Sequence, residues 1–513
     1  MEKTKIEFGT DGFRGIIAKE FTFETIKRII EAISLYIKNL KSDKNTIIVG
    51  YDPRFMAIDF AKFCAELLKN QGFKVILSNS VVPTPIVAYC AKYYPNSIGA
   101  IMLTASHNPK EYQGIKFIPN YAGPATKEIT DKILTYLDKP IVLQDGGEIK
   151  EENLEEKYFE HLENIIDFDL IKKNQPKIIY DGLYSASIGY FDKLLTKHSI
   201  DFESVNLFHS SDFGGGLPEP KAKFMKHIKK GYITVANDGD ADRYGVIDEE
   251  GNYVNPNMVM AILLKYLHSK NKQGKMIKTV GVSTLIDVVA KKLNIETITT
   301  PVGFKWLSEA MRKNDCILAG EDSGGLSTGE HIPEKDGLFA NLLIIEAMAA
   351  QNKTLVELQK EIKDFANCEF YTDRIDKKLN SKKEIADLMD KFIDFNEIAD
   401  LKITQTLTLD GIKMFLDDDL SWILIRKSGT EPLLRFYIES NDEGRLEKIK
   451  KFIQENIWFL NKNVVLYKKC FWFKSFSFCS LFSFFSCADE KEKSEPKREN
   501  TAWLNSLLLL FQI

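Results

Sequence analysis

The sequence predicts an α/β protein of several domains. Three observations carry that expectation. Short apolar runs alternate with helix-period stripes. The strand–helix unit they form recurs three times. The 513 residues allow three or four domains, at roughly 100–200 residues each.

The first helix is written in Ile26, Ile29, Ile30, Ile33 and Ile37, an i, i+3, i+4, i+7 stripe that makes one apolar face. The first repeated unit follows. Strand Thr46–Val49 leads into the turn Asp52-Pro53-Arg54, then a helix with Phe60, Phe63, Cys64 and Leu67 on one face, Gly72, and strand Lys74–Leu77. The second unit is strand Lys177–Tyr180 and a helix over Ile188–Lys197. The third is strand Thr279–Val282, a helix over Ile286–Leu293, and strand Glu296–Thr299. Such units build βαβ crossovers and a largely parallel sheet. The copies share negligible sequence identity, so the repeat is architectural.

Boundaries fall where the pattern breaks. Gly146-Gly147 precedes a charged helix, Asp248-Glu-Glu-Gly251 reads as a turn, and strand–helix alternation is lost around 368–380. The expected segments are 1–150, 151–250, 251–368 and 369–465. From about 466 the composition changes. Residues 470–486 contain only Phe, Ser, Cys, Trp, Leu and one Lys, and the charged run Asp489–Asn500 follows. That apolar stretch is shorter than the ~20 residues a bilayer span needs. Residues 466–513 therefore read as an atypical or disordered extension, and no membrane attachment is expected.

Composition excludes other classes. A formal net charge of −4 gives no field for nucleic acid or an anionic membrane surface. The seven cysteines are dispersed, without a CxxC pair, and the seven histidines never fall at zinc-ligand spacing. This pattern fits a reducing compartment, and the opening residues hold no apolar signal region. The expected location is cytoplasmic.

Four loops carry chemistry. Strand Ile98–Leu103 runs into Thr104-Ala-Ser-His-Asn-Pro109, which places Ser106 beyond the carboxyl end of a strand, where α/β sheets bind ligands. An ordinary polar turn would also use these residue types. Asn237-Asp-Gly-Asp-Ala-Asp-Arg243 sets three carboxylates within five residues. They repel one another unless a cation intervenes, and hard oxygen donors suit Mg²⁺. A calcium-loop reading of Asp238, Asp240, Asp242 and Glu249 fails because Arg243 stands where that loop needs glycine. Cys316–Gly325 opens a strand into Glu321 and Ser323, which suit sugar hydroxyls, and leads to His331-Ile-Pro-Glu-Lys-Asp-Gly337. Arg426-Lys-Ser-Gly-Thr-Glu-Pro432, between two strands and near Arg435, offers hydroxyls, backbone N–H groups and cations as a phosphate cradle.

In this order and spacing the four loops resemble the signature loops of the α-D-phosphohexomutases, and Gly9–Gly15 and Phe213–Pro220 resemble two further loops of that family. The resemblance covers residues 1 to about 465. It implies three similar α/β domains with mixed sheets plus a C-terminal α+β domain around a central cleft. It implies a phosphohexose mutase that interconverts hexose 1-phosphate and hexose 6-phosphate. Glucose is the first expectation and mannose the second, with a phosphoglucosamine mutase or a catalytically silent sugar-phosphate binder as alternatives.

The resemblance also distributes roles. Ser106 is the phosphoserine, and Asp238, Asp240 and Asp242 hold Mg²⁺ together with its phosphate. Lys116 and Lys335 are acid/base candidates, for which a depressed pKa supplied by neighbouring cations is expected. Arg14 and Arg243 are basic groups near the reacting phosphate. Gly303 and Lys305, in Thr300–Lys305, read sugar hydroxyls with Glu321, Ser323 and His331. Arg426, Ser428, Gly429, Thr430 and Arg435 clamp the distal phosphate. A hexose 1,6-bisphosphate is the expected primer, the partners are small sugar phosphates, and the chain is expected to be a monomer or weak homodimer. Two departures stand out: Gly325 occupies the place of a histidine in phosphomannomutase-type loops, and Ala241 replaces the usual glycine.

Overall fold

The computed structural model describes residues 4–9, 11–418, 420–427 and 433–457. Met1–Lys450 forms one compact unit. The second begins at Lys451, and of it only a helical stretch to residue 457 is described. The predicted extension at 466–513 lies outside the described residues.

The first domain is built on a six-stranded sheet. Its strands lie in the order Phe13–Ile16, Tyr112–Pro119, Ser97–Leu103, Thr46–Tyr51, Lys74–Ser78 and Glu148–Glu152. The first two neighbouring pairs are antiparallel and the rest parallel, so the sheet is mixed. Its central strands are buried on both faces. Ile47 and Val49 pack in one core with helices Phe23–Asn39 and Ala57–Lys69, whereas Ile48 packs in another with helix Thr84–Tyr93. That is why these strands read as continuous apolar runs. The isoleucine stripe of the first helix is fully buried, and the Thr22 hydroxyl caps that helix by accepting from Thr25 N. In the next helix the buried face is Ala57, Phe60, Ala61, Cys64, Ala65 and Leu68, with Phe63 and Leu67 at its margin.

The second domain carries a four-stranded sheet in the order Tyr244–Ile247, Ile233–Asn237, Ile178–Asp181 and Phe202–Val205. The helix expected from Ile188 starts only at Phe191. Gly189, at φ +84°, breaks the approach, and its N–H is taken by Asp192 Oδ1. The third domain orders Thr297–Thr300, Lys275–Thr279, Cys316–Gly320 and Leu326–Ser327. Here the strand expected over Thr279–Val282 lies four residues earlier. Ser283 caps helix Thr284–Lys292 by accepting from Leu285 N, so the chain leaves the sheet at Thr279 to reach the cap. The fourth domain is α+β. All neighbouring pairs in its six-stranded sheet are antiparallel, and helix Lys382–Ile393 belongs to the same segment.

One core runs through the first three domains, from Ile86 through Tyr158 and Phe191 to Leu338. Val280, Trp422 and Leu424 form a smaller one joining the third domain to the fourth. The described cysteines Cys64, Cys90, Cys316 and Cys368 are all free thiols. Among the described residues no helix is long and apolar enough to cross a membrane.

Candidate active site

Strand Ser97–Leu103 delivers the chain into a loop in which Ser106 adopts φ +50°. Ser106 is only 1% exposed. Its hydroxyl donates to Asp238 Oδ2 at 2.8 Å and lies 3.2 Å from His107 Nδ1. Arg243, burial and Arg14 together hold His107 well below the ordinary imidazole range, so its ring is neutral.

The acidic loop is the hairpin between Ile233–Asn237 and Tyr244–Ile247. Asp238, Asp240 and Asp242 are completely buried, and one oxygen of each lies within 4.8 Å of the others. The strands on both sides, and not helices, set this loop apart from a calcium hand. Glu249 is also engaged elsewhere, accepting from Leu355 N and Val356 N. Ala241 holds φ +62°, a left-handed conformation that glycine adopts without strain, yet the carboxylates still converge. Oδ1 of Asp240 and Oδ1 of Asp242 are buried without a hydrogen-bond partner. Three buried carboxylates with orphaned oxygens fit a hard divalent cation such as Mg²⁺. Burial, Asp242 and Asp240 push the Asp238 carboxyl well up. Asp240 is held low despite its burial, because Lys116 and the Thr84 hydroxyl stabilise its charge.

Two lysines complete the cluster. Lys116, on strand Tyr112–Pro119, places Nζ 2.7 Å from Asp11, 2.8 Å from Asp240 and 2.8 Å from Asp242. Lys335 Nζ lies 3.0 Å from Asp11 and 3.0 Å from Asp242. The depressed lysine pKa expected from neighbouring cations is overturned. Burial alone would lower both, but the surrounding carboxylates outweigh it and push both ammonium groups up.

Arg14 reaches the same loop from the edge strand and donates to Asn108 Oδ1 at 2.5 Å. Arg243 gives its backbone N–H to Asp238 Oδ1, and its Nε is buried without a partner.

Beyond the lysines, Glu321 joins the two sugar-loop segments. Its Oε1 accepts from Gly303 N at 3.1 Å and its Oε2 from Ser323 Oγ at 3.4 Å. Lys305 is half-buried in the same region, and burial lowers its pKa. His331 is placed differently. Its Nδ1 meets His161 Nε2 at 2.9 Å and its Nε2 meets Asp336 Oδ2 at 2.8 Å, so both ring nitrogens are occupied inside the fold. The fourth domain contributes Arg426, which donates to Asp410 Oδ2 at 2.8 Å, while the same oxygen accepts from Val302 N. The Nε atoms of Arg426 and Arg435 are buried without partners. Ser428, Gly429 and Thr430 lie outside the described residues.

The structure also shows members that the sequence reading passes over. Asp11 joins the two lysines, Thr84 holds Asp240, Asp410 ties Arg426 to the sugar loop, and Asp52 and Arg54 lie beneath Ser106. Asp11 has a local signal, an acid before Gly12, which adopts φ +87° where a β-carbon would lie 2.4 Å from Ile115 O. Thr84 and Asp410 have none.

Four models of phosphoglucomutase/phosphomannomutase match: α/β/α domain I over residues 5–141, domain II over 156–251, domain III over 255–365, and the C-terminal domain over 376–456. A phosphoglucomutase/phosphomannomutase of Thermococcus kodakarensis is 29% identical, covering 89% of this chain and 98% of its own. A phosphoglucosamine mutase of Clostridium kluyveri is 32% identical, covering 88% and 98%. A Thermus thermophilus crystal structure named for phosphomannomutase superposes with a TM-score of 0.78 at 31% identity, covering 88% and 99%.

Proposed function

Since the chain belongs to the phosphoglucomutase/phosphomannomutase family, whose members are isomerases that transfer phosphate within a sugar, we propose that it interconverts hexose 1-phosphates and hexose 6-phosphates through a phosphate carried on Ser106. The observation that carries this reading is the Ser106 hydroxyl, buried and 2.8 Å from Asp238 in the three-carboxylate cluster.

Phosphoryl transfer depends on placement and on stabilising charge. Phospho-Ser106 gives its phosphoryl group to O6 of a bound hexose 1-phosphate. The P–O bond to Ser106 breaks, the P–O6 bond forms, and the departing Ser106 oxygen gains a proton as O6 loses one, Lys116 or Lys335 giving a proton from its ammonium group and taking up the one from O6. Asp11 pairs with both ammonium groups and holds them together beside the carboxylate cluster. The hexose 1,6-bisphosphate then turns over in the site; the P–O1 bond breaks, the P–O bond to Ser106 re-forms, and O1 gains a proton as Ser106 loses one. The proton that Ser106 releases has acceptors in Asp238 and His107. Arg14 and Arg243 balance charge on the moving group. Asp238, Asp240 and Asp242, with phospho-Ser106, would hold Mg²⁺, which when bound supplies positive charge against the phosphoryl oxygens.

Glu321, Ser323, Gly303 and Lys305 orient the sugar hydroxyls. Arg426, Ser428, Gly429, Thr430 and Arg435 clamp the phosphate that is not reacting. His331 supports the loop that carries Lys335. A bisphosphate primes the enzyme by charging Ser106.

Glucose is the preferred sugar in this reading and mannose the second, supported by the form of the loops at 300–305 and 331–337. Glucosamine is the alternative, supported by the phosphoglucosamine mutase among the relatives. Comparing kcat/KM for the three 1-phosphates with Mg²⁺ and a bisphosphate primer decides between them. Intact mass tests the chemistry itself: a single phosphate on Ser106 that substrate discharges supports a mutase. A chain that never carries it, or that releases inorganic phosphate as fast as substrate disappears, refutes one.

A further inference from the structure

Arg54 has no part in the chemistry above, yet its side chain is wholly buried beneath the Ser106 loop. All of its donors are used. Nε pairs with Asp52 Oδ2 at 3.1 Å. Nη1 donates to Pro109 O at 2.8 Å and Tyr112 O at 3.0 Å. Nη2 donates to Ser106 O at 2.7 Å and Asn108 O at 2.6 Å. The ring of Phe213, from the second domain, lies 4.9 Å from the guanidinium carbon.

The same ion pair reaches Ser106 from the other side. Asp52 Oδ2 accepts from the Thr104 hydroxyl at 2.7 Å, and Thr104 Oγ1 accepts from Ser106 N at 2.8 Å. Both peptide groups flanking Ser106 are therefore fixed by Asp52 and Arg54. A serine at φ +50° stays there only because its surroundings hold it. A lysine could not replace this grip, since a single ammonium cannot span four carbonyls and a carboxylate in the geometry of a planar fork.

We propose that Arg54 is the positioning residue that aims Ser106 Oγ for phosphoryl transfer, acting with Asp52 and through Thr104. This rests on the reading of Ser106 as the phosphate carrier. It predicts that loosening the grip slows transfer without weakening sugar-phosphate binding, because no group in the grip is assigned a contact with the sugar.

The test uses the full chain and three variants: Arg54→Lys, Thr104→Val and Thr104→Ser. Folded Arg54→Lys, checked by circular dichroism and a melting curve, should lose about 100-fold in kcat. Its KM should stay within about twofold of wild type. Charging and discharge of phospho-Ser106, followed by intact mass in single-turnover mixing, should slow with kcat. Thr104→Val, which keeps the shape and removes the hydroxyl, should behave alike, and Thr104→Ser should restore most of the rate. Folded Arg54→Lys with wild-type kcat, or with a loss in KM alone, overturns the proposal. If Arg54→Lys does not fold, the threonine pair decides, and equal rates for Val and Ser overturn it. A wild-type chain that never carries phosphate on Ser106 overturns the carrier reading and this proposal with it. A wild-type chain that charges normally, beside an Arg54→Lys chain that charges equally fast, overturns the positioning proposal alone.

Discussion

A β-carbon placed on Gly239 would lie 2.6 Å from the carbonyl oxygen of Ser106. The acidic hairpin and the serine loop thus meet backbone to backbone, and only glycine permits the approach. Gly239→Ala should push the two loops apart and lengthen the Ser106–Asp238 contact. Misplacement of about 1 Å is enough to lower kcat by ~10²-fold. The assay is coupled glucose 1-phosphate turnover on protein verified as folded. A wild-type rate would mean that the loops separate freely without harm.

Asp240 engages only one of its two carboxylate oxygens. Its Oδ2 holds Lys116 and the Thr84 hydroxyl, while its Oδ1 has no partner. Asp240→Asn keeps the shape and removes the charge. Mg²⁺ half-saturation of activity should rise at least about tenfold, as for loss of a charged oxygen donor. An unchanged Mg²⁺ titration would remove Asp240 from the cation site.

Much of this site is legible in the sequence because its chemistry sits in short contiguous loops. Ser106 and the three aspartates occur in runs of six or seven residues, and their neighbours in sequence remain their neighbours in space. What is not legible is whatever the fold brings together from a distance. Asp11 meets Lys335 across 324 positions, and Asp410 meets Val302 across 108. No local pattern marks such pairs. His331 shows the opposite error: a motif neighbour of Lys335 whose ring turns inward because Asp336 and His161 satisfy both nitrogens. The strand ending at Thr279 is misread for a local reason, since Val280 and Val282 look like strand residues but are buried in the turn before a serine cap.

Lys413 is 2% exposed, donates to Val280 O at 2.8 Å, and lies 3.8 Å over the Trp422 ring. Burial and the nearby Lys278 bring its pKa down to about 7, against the favourable pull of Glu439 and Asp287. Unfolded, the amine binds its proton up to about pH 10.4. Between those values the unfolded chain holds more protons, so stability should rise as pH climbs from about 7 towards 10. The slope is at most about 1.4 kcal/mol per pH unit. Chemical denaturation across that range should show the slope in wild type and lose it in Lys413→Met, which should also be the more stable variant at pH 7. A parallel slope in both would assign it elsewhere.

His161 supplies the acid-side counterpart. It stacks on His331 with ring centres 5.1 Å apart, and burial with the His331 neighbour brings its pKa down to about 4. The fold therefore keeps this ring neutral, while the unfolded chain protonates it below about pH 6.5. The unfolded state binds the extra proton between those values, so acidification should cost stability progressively from about pH 6.5 to 4. The loss is of order 1–3 kcal/mol for a shift of this size in a partly buried ring. Because His161 meets His331, and His331 meets the Asp336 that caps helix Gly337–Gln351, the loss should extend to the loop carrying Lys335. His161→Phe keeps an aromatic ring against His331 and removes the titration. Its stability at pH 5, compared with pH 7 by urea unfolding, should fall less than that of wild type. An equal fall in both proteins would show that His161 does not set the acid limit of the fold.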